Sequence, residues 1–204
     1  IGGTFYIGEM REFLHDLEGI AGRKITDDDI RKSIEVYNEN RRLVGELYKF
    51  RAQKPWQAPA SEAYLVIRAG LLLPVEEHSE LRRQYIAAAK AEPRPIKDNS
   101  RVVVTGMFCE QPPLNLIKSL ELSGCYVVDD DFMLVSRWLI GDVATSGDPV
   151  RNLSQAFLHH SMSTAAKYEP NQAEKGQFLV RSVKATGAEG VIFASTSFCD
   201  PALL

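Results

Sequence analysis

Three short segments of this chain gather side chains able to do chemistry. The first, Gly106-Met107-Phe108-Cys109-Glu110-Gln111-Pro112-Pro113, offers a thiol, a carboxylate and an amide just ahead of a proline-started helix. The free N–H groups at such a helix start favour anions. The segment has one glycine where a phosphate-cradling fingerprint has three, which argues against Rossmann-type dinucleotide binding. A plainer reading of the same turn is a solvated Glu110 and a packed Cys109, and both readings stay open. The second segment, Asp129-Asp130-Asp131, carries enough carboxylates for Mg²⁺ or a ribose hydroxyl. Such runs are more often solvated loops that cap the following helix, and that is the expectation here. The third, Phe198-Cys199-Asp200-Pro201, follows the apolar run Gly190-Val191-Ile192-Phe193-Ala194-Ser195-Thr196. That run reads as a fully covered strand, so Cys199 should emerge just past its carboxyl end, the edge at which open α/β sheets hold ligands.

The remaining thiols and imidazoles carry less. Cys125 should open a strand at the opposite edge and read as a small core hydrophobe. No two of the three cysteines have CxxC spacing, so an iron–sulfur site would need ligands from elsewhere. His15, His78, His159 and His160 form no HExxH pattern. Adjacent His159 and His160 point about 100° apart on a helix. One is expected to face the core and the other the solvent.

The elements that must position these residues change character near residue 100. Residues 5–53 read as helical, with Phe13, Leu14, Leu17 and Ile20 at helical spacing and a break between Gly19 and Gly22. Thr26 before Asp27-Asp28-Asp29 is an N-cap with dipole-favoured acids. Ile30, Ile34, Tyr37, Arg41, Val44 and Tyr48 mark one stripe of the long helix that follows. A helix capped by Ser61 and ended by Gly70 comes next, then one after Pro74 with Leu81, Tyr85 and Ile86 on its apolar side. Strands are expected at 102–105, 125–128 and 190–196, with helices from Leu114, over 132–140, from Pro149 and over 172–186. The expected fold class is therefore α/β: residues 1–98 a helical region, and 99–204 a parallel three-layer lobe of flavodoxin or Rossmann type. Three strands are few for such a sheet, and the chain opens on Ile1-Gly2-Gly3 and stops soon after Cys199. A truncated lobe, incomplete at its C-terminus, and a piece of a longer protein are the expectation.

Net charge −3 and 25% charged residues argue against a nucleic-acid surface. No apolar run approaches the ~20 residues of a membrane span, and the odd, widely spaced cysteines suit a reducing cytoplasm rather than a disulfide scaffold.

Three stretches carry a resemblance: Val36-Tyr37-Asn38-Glu39-Asn40-Arg41, the Val104-to-Pro113 strand-turn with its Cys109-Glu110-Gln111-Pro112-Pro113, and Phe198-Cys199-Asp200-Pro201. Together they resemble the 2-hydroxyacyl-CoA dehydratase D-component family across essentially the whole chain. Within it, the Met107-to-Pro113 segment, Asp129-to-Phe132 and the ending Phe198-to-Leu204 are most similar to the C (gamma) type subunits of the ATP-dependent benzoyl-CoA reductase branch, here as a C-terminal-half fragment. The resemblance implies two similar α/β lobes with a 4Fe–4S cluster between them, held by three cysteines. Cys199 matches the third ligand; Cys109 and Cys125 match none. Cys109 is then a neighbour of the cluster or a residue of the substrate pocket, and Cys109 and Glu110 are the candidates for binding the substrate, a CoA thioester. The implied partners are a homologous second cluster-binding subunit, reduced ferredoxin and a separate activator that hydrolyses ATP with Mg²⁺. The implied reaction is ATP-driven reduction of the benzoyl-CoA ring to a cyclohexadiene-carbonyl-CoA. With one ligand of three, the fragment by itself is expected to be inactive and free of cluster. A 2-hydroxyacyl-CoA dehydratase subunit and a non-catalytic flavodoxin-like binding module are the alternatives.

Overall fold

The computed structural model describes residues 3–106, 112–162 and 176–195. They fall into two compact units, Ile1–Arg42 with Trp138–Met162 and Leu43–Arg137 with Ser163–Leu204. Helix α2 (Asp27–Gln53) runs through the boundary between them.

The first unit contains α1 (Gly3–Ala21), the opening turns of α2 and α7 (Pro149–His159). Tyr6 of α1 stacks on Phe157 of α7 with ring centroids 5.3 Å apart. Ile34, Val143 and Ala156 form its small core. Asn38 of α2 holds residue 143 at both ends, with Nδ2 donating to the Val143 carbonyl at 2.9 Å and Oδ1 accepting from its N–H at 2.8 Å. Those bonds place Asn38 inside and turn Tyr37 out, so the expected stripe Ile30–Ile34–Tyr37 runs through Asn38 instead. The apolar spacing of α1 likewise finds little cover. Phe13 and Ile20 are exposed, and no α1 residue is buried.

Thr26 starts α2 as expected. The Asp29 N–H donates to Thr26 Oγ1 at 3.2 Å, and Asp29 Oδ2 accepts from the Thr26 N–H at 2.9 Å. This is a capping box with Asp in the acidic place. Thr26→Ala is expected to destabilise the fold by about 1 kcal/mol, read as a lowered urea midpoint at unchanged slope.

In the second unit, the rest of α2 is followed by α3 (Ala60–Arg68), a tight turn at Ala69–Leu71 and α4 (Val75–Ala91). No strand occurs among the described residues before β1 (Ser100–Thr105). Then come α5 (Leu114–Leu122), β2 (Cys125–Asp130), α6 (Leu134–Arg137), α8 (Gln177–Thr186) and β3 (Gly190–Phe193). The three strands are parallel in the order β2-β1-β3, confirming the α/β class. Val102, Val103 and Val104 of β1 are all buried, the continuous apolar run of a central strand covered on both faces. Register pairs Val102 with Val127 but Val103 with Asp129, a bulge that makes room for Val128 and brings Asp130 level with Val104.

Three local expectations are corrected. Ser61 does not cap α3; Pro59 stands at the cap, and the Ser61 N–H and Oγ both donate to Glu121 of α5, at 3.0 and 2.7 Å. The helix expected over 132–140 is a single turn, α6, because Trp138 and Ile140 bond in extended form to Met162 and His160. β3 is not fully covered. Among the described residues it is an edge strand, and Phe193 is 70% exposed. No helix among the described residues is long and apolar enough to cross a membrane.

Candidate functional site

The carboxyl ends of β1 and β2 carry a dense polar network inside the second unit. Asp129 and Asp130 are the last residues of β2, not a solvated loop, and Asp130 and Asp131 are buried. Tyr48 and Arg51 of the distant α2 and Arg137 of the nearby α6 draw them in. Arg51 Nη2 lies 2.5 Å from Asp130 Oδ2, an ion pair whose angles fall outside hydrogen-bond geometry, with both side chains 1% exposed. The Tyr48 hydroxyl donates to Asp130 Oδ1 at 2.8 Å, and the Phe132 N–H donates to the same oxygen at 3.0 Å. Arg137 Nη1 donates to Asp129 Oδ1 at 2.9 Å and to the Asp130 carbonyl at 2.6 Å. The Tyr48 ring is flanked by two guanidinium groups, Arg137 Cζ 3.7 Å and Arg51 Cζ 4.4 Å from its centroid. Desolvated cation–π contacts of this kind add to the ionic attraction.

The network keeps its charges. Burial alone would lower the Arg51 pKa, but Asp130, Tyr48 and Asp129 together outweigh it and raise the pKa. Burial, and then Asp130, push the Tyr48 phenol up, so it remains a hydrogen-bond donor. Burial pulls Asp129 upward, yet Arg137, the Ser182 hydroxyl at 2.5 Å and Arg51 together hold it below its ordinary value of 3.8. A depressed folded-state pKa contributes stability that is present above the unfolded value and lost as pH falls through the folded one. Hence the gap in urea midpoint between the native chain and Asp129→Asn is expected to stay constant at neutral pH and to close below about pH 4. A gap unchanged down to about pH 2 would contradict this assignment.

The same edge anchors both ends of the segment that carries Cys109 and Glu110. Asp131 Oδ2 accepts from the Gly106 N–H and from Thr105 Oγ1, each at 2.8 Å. On the far side, the Tyr64 hydroxyl donates to the Pro112 carbonyl at 2.8 Å, and Arg68 Nη1 donates to that hydroxyl at 2.9 Å. Gly106 itself has φ +108°, and β3 passes close by: a Cβ at this position would lie 3.3 Å from Ser195 Oγ and 3.4 Å from the Ala194 carbonyl carbon.

Cys109, Glu110 and Cys199 lie outside the described residues. Cys125 is partly buried against the main core at the amino end of β2, where it was expected. His159 and His160 are both exposed, since α7 ends at this pair. His78 is the buried histidine, with Nε2 2.8 Å from the Val66 carbonyl. Sequence reasoning missed Tyr48, Arg51 and Arg137 as partners of the aspartates. Arg51 did leave a signal: it continues the Val44–Tyr48 stripe, and a cation on a buried stripe demands a buried anion.

The parallel lobe, its polar carboxyl edge and the helical stretch before it define a class. A family model described as 2-hydroxyglutaryl-CoA dehydratase, D-component, matches residues 2–204, and the chain belongs to that family. Over all 204 residues it is 56% identical to a benzoyl-CoA reductase subunit from Thauera aromatica, of which it covers 53%. A more distant relative is the (R)-phenyllactyl-CoA dehydratase beta subunit of Clostridium sporogenes, 30% identical over 98% of this chain and 52% of that protein. A third is the (R)-2-hydroxyglutaryl-CoA dehydratase beta subunit of Acidaminococcus fermentans, 28% identical over 98% of this chain and 53% of that protein. The chain therefore spans about half the length of the curated relatives it matches.

Proposed function

We propose that this chain is part of a subunit of an ATP-dependent benzoyl-CoA reductase working in the cytoplasm. The observation that carries the reading is the contrast in identity: 56% to a benzoyl-CoA reductase subunit against 30% and 28% to dehydratase subunits, all over nearly the whole chain. The reaction proposed is reduction of the aromatic ring of a benzoyl thioester to a cyclohexadiene-carbonyl-CoA. Its partners are a homologous second subunit, reduced ferredoxin and an activator that hydrolyses ATP with Mg²⁺.

A 4Fe–4S cluster with Cys199 as one ligand belongs to this proposal. Among the described residues no group of three His, Cys, Asp or Glu side chains could hold a metal, so the ligand set rests on the family motif at Cys199. When bound, such a cluster supplies a low-potential electron donor. The chain's own described residues do something else. Asp131 and Tyr64 fix the backbone on either side of the Cys109–Glu110 segment, which is proposed to face the thioester. The buried Asp130–Arg51 pair and the partly buried Asp129–Arg137 pair hold the carboxyl end of β2 beside the strand from which it departs.

The test is anaerobic co-expression of the full-length subunit with its homologous partner and the activator, measuring iron, sulfide and dienoyl-CoA product. Iron and product are expected with benzoyl-CoA, and Cys199→Ser is expected to lose both. A well-folded complex without iron would sink the cluster assignment. The family description and the dehydratase relatives support a second reading, dehydration of a 2-hydroxyacyl-CoA. Turnover of a 2-hydroxyacyl-CoA with benzoyl-CoA inert would install it. Unchanged iron content and activity in Cys199→Ser would return that thiol to packing alone.

A further inference from the structure

The second unit has a cleft of about 450 Å³ at the amino end of β2, the opposite end of the sheet from the carboxylate network. That volume lies within the ordinary range for small-molecule sites. Its lining comes from three places in the sequence: the Pro55–Ser61 stretch, the Arg94–Asn99 approach to β1, and the Lys118-to-Val127 passage from α5 into β2. Trp56 and Tyr126 meet in it as a tilted aromatic pair with centroids 6.3 Å apart. The Tyr126 hydroxyl accepts from the Lys97 N–H at 2.8 Å, which fixes the ring. The prolines around Trp56 have little conformational freedom to lose when a ligand binds.

The charges in the cleft are not evenly committed. Arg94 is forked onto Glu62 at 2.8 and 3.0 Å, and Glu121 is engaged by Ser61. The ammonium groups of Lys97 and Lys118 have no hydrogen bond or ion pair among the described residues. Among the described residues the lining thus holds two lysine ammonium groups without an ion pair against one carboxylate, Glu121, beside an aromatic-walled hollow. Aromatic faces hold flat rings by stacking, and unpaired ammonium groups hold phosphate as point charges.

We propose that this cleft is a small-molecule site for a nucleotide, with the base against Trp56 and Tyr126 and phosphate at Lys97 and Lys118. The proposal does not depend on the function proposed above, because the cleft and the carboxyl-edge network share no residue. The nucleotide could be free or the nucleotide end of a CoA thioester, which carries an additional 3′-phosphate.

The chain has two tryptophans, so Trp138→Phe leaves Trp56 as the sole reporter. Its fluorescence is titrated with AMP, adenosine 3′,5′-bisphosphate, inorganic phosphate and benzoate. Saturation is expected with a nucleotide below about 1 mM, and binding at least about tenfold weaker in Lys97→Ala/Lys118→Ala, whose side chains are exposed and free of structural bonds. Preference for the bisphosphate assigns the CoA source; preference for AMP assigns a free nucleotide. In the unmodified chain, Cys125 lines the cleft, so nucleotide is expected to slow its alkylation at least about threefold, located by peptide mass. Nucleotides binding no better than phosphate or benzoate would overturn the site. So would undiminished binding in the lysine variant, or Cys125 alkylation indifferent to nucleotide.

Discussion

Asp130→Ala is expected to lower the unfolding free energy by about 3–5 kcal/mol, among the largest losses available to a single substitution in this chain. The reason is what it leaves behind. Arg51 and Asp130 are each 1% exposed, so removing the carboxylate strands a guanidinium in a site that water does not reach. Arg137 also lies against the Tyr48 ring and adds like-charge repulsion. Tyr48 and the Phe132 N–H lose their acceptor as well. Urea unfolding at neutral pH measures the loss. The double variant Arg51→Met/Asp130→Leu separates charge from shape, since replacing both ions by apolar groups of similar volume is often nearly neutral. Recovery of part of the lost stability is therefore the expected outcome in the double variant, the remainder staying lost with the acceptor of Tyr48 and of the Phe132 N–H. A loss below about 1 kcal/mol for Asp130→Ala would mean that water reaches Arg51 after all.

Gly106→Val carries the second large effect, about 3 kcal/mol, compounded of backbone strain and overpacking. A β-branched residue is poorly tolerated at φ +108°, and the new side chain would press on Ser195 Oγ and the Ala194 backbone just past β3. Both responses available to the chain are unfavourable: β3 moves off, or residue 106 rotates and withdraws its N–H from Asp131. The second response re-aims the segment beginning at Met107. Activity of the assembled complex, if it works as proposed, should then fall further than stability. Equal urea midpoints for Gly106→Val and the native chain would show that β1 and β3 do not approach this closely.

Much of this architecture is written locally. Val102-Val103-Val104 and the Gly190-to-Phe193 run are strands because short β-branched runs bounded by turn residues have few other uses. Thr26 with Asp29 announces a helix start that no distant contact has to supply. Long-range partnerships were less legible. Ser61 looks like a cap until Glu121, sixty positions away, claims its N–H and hydroxyl. Three consecutive aspartates look solvated until Arg51, Arg137 and Tyr48 arrive from other elements, and neither Tyr48 nor Arg137 betrays that destination by its spacing. Of the candidate site, the family was readable from Cys109-to-Pro113 and Phe198-to-Pro201 and is supported by the match over residues 2–204. Cys109, Glu110 and Cys199 lie outside the described residues, so the structure speaks for the frame at the strand ends.

The exposed flank of β3 has a consequence for anyone handling the isolated chain. β2 is also an outer strand, but Val127 and Val128 are buried beneath other elements. β3 instead presents Phe193 to water and, among the described residues, a row of backbone donors and acceptors with no neighbouring strand. Such a border is a template for pairing with another chain. Concentrated samples should therefore begin to self-associate here, and a lysine in place of Phe193 is the simplest means of keeping them dispersed.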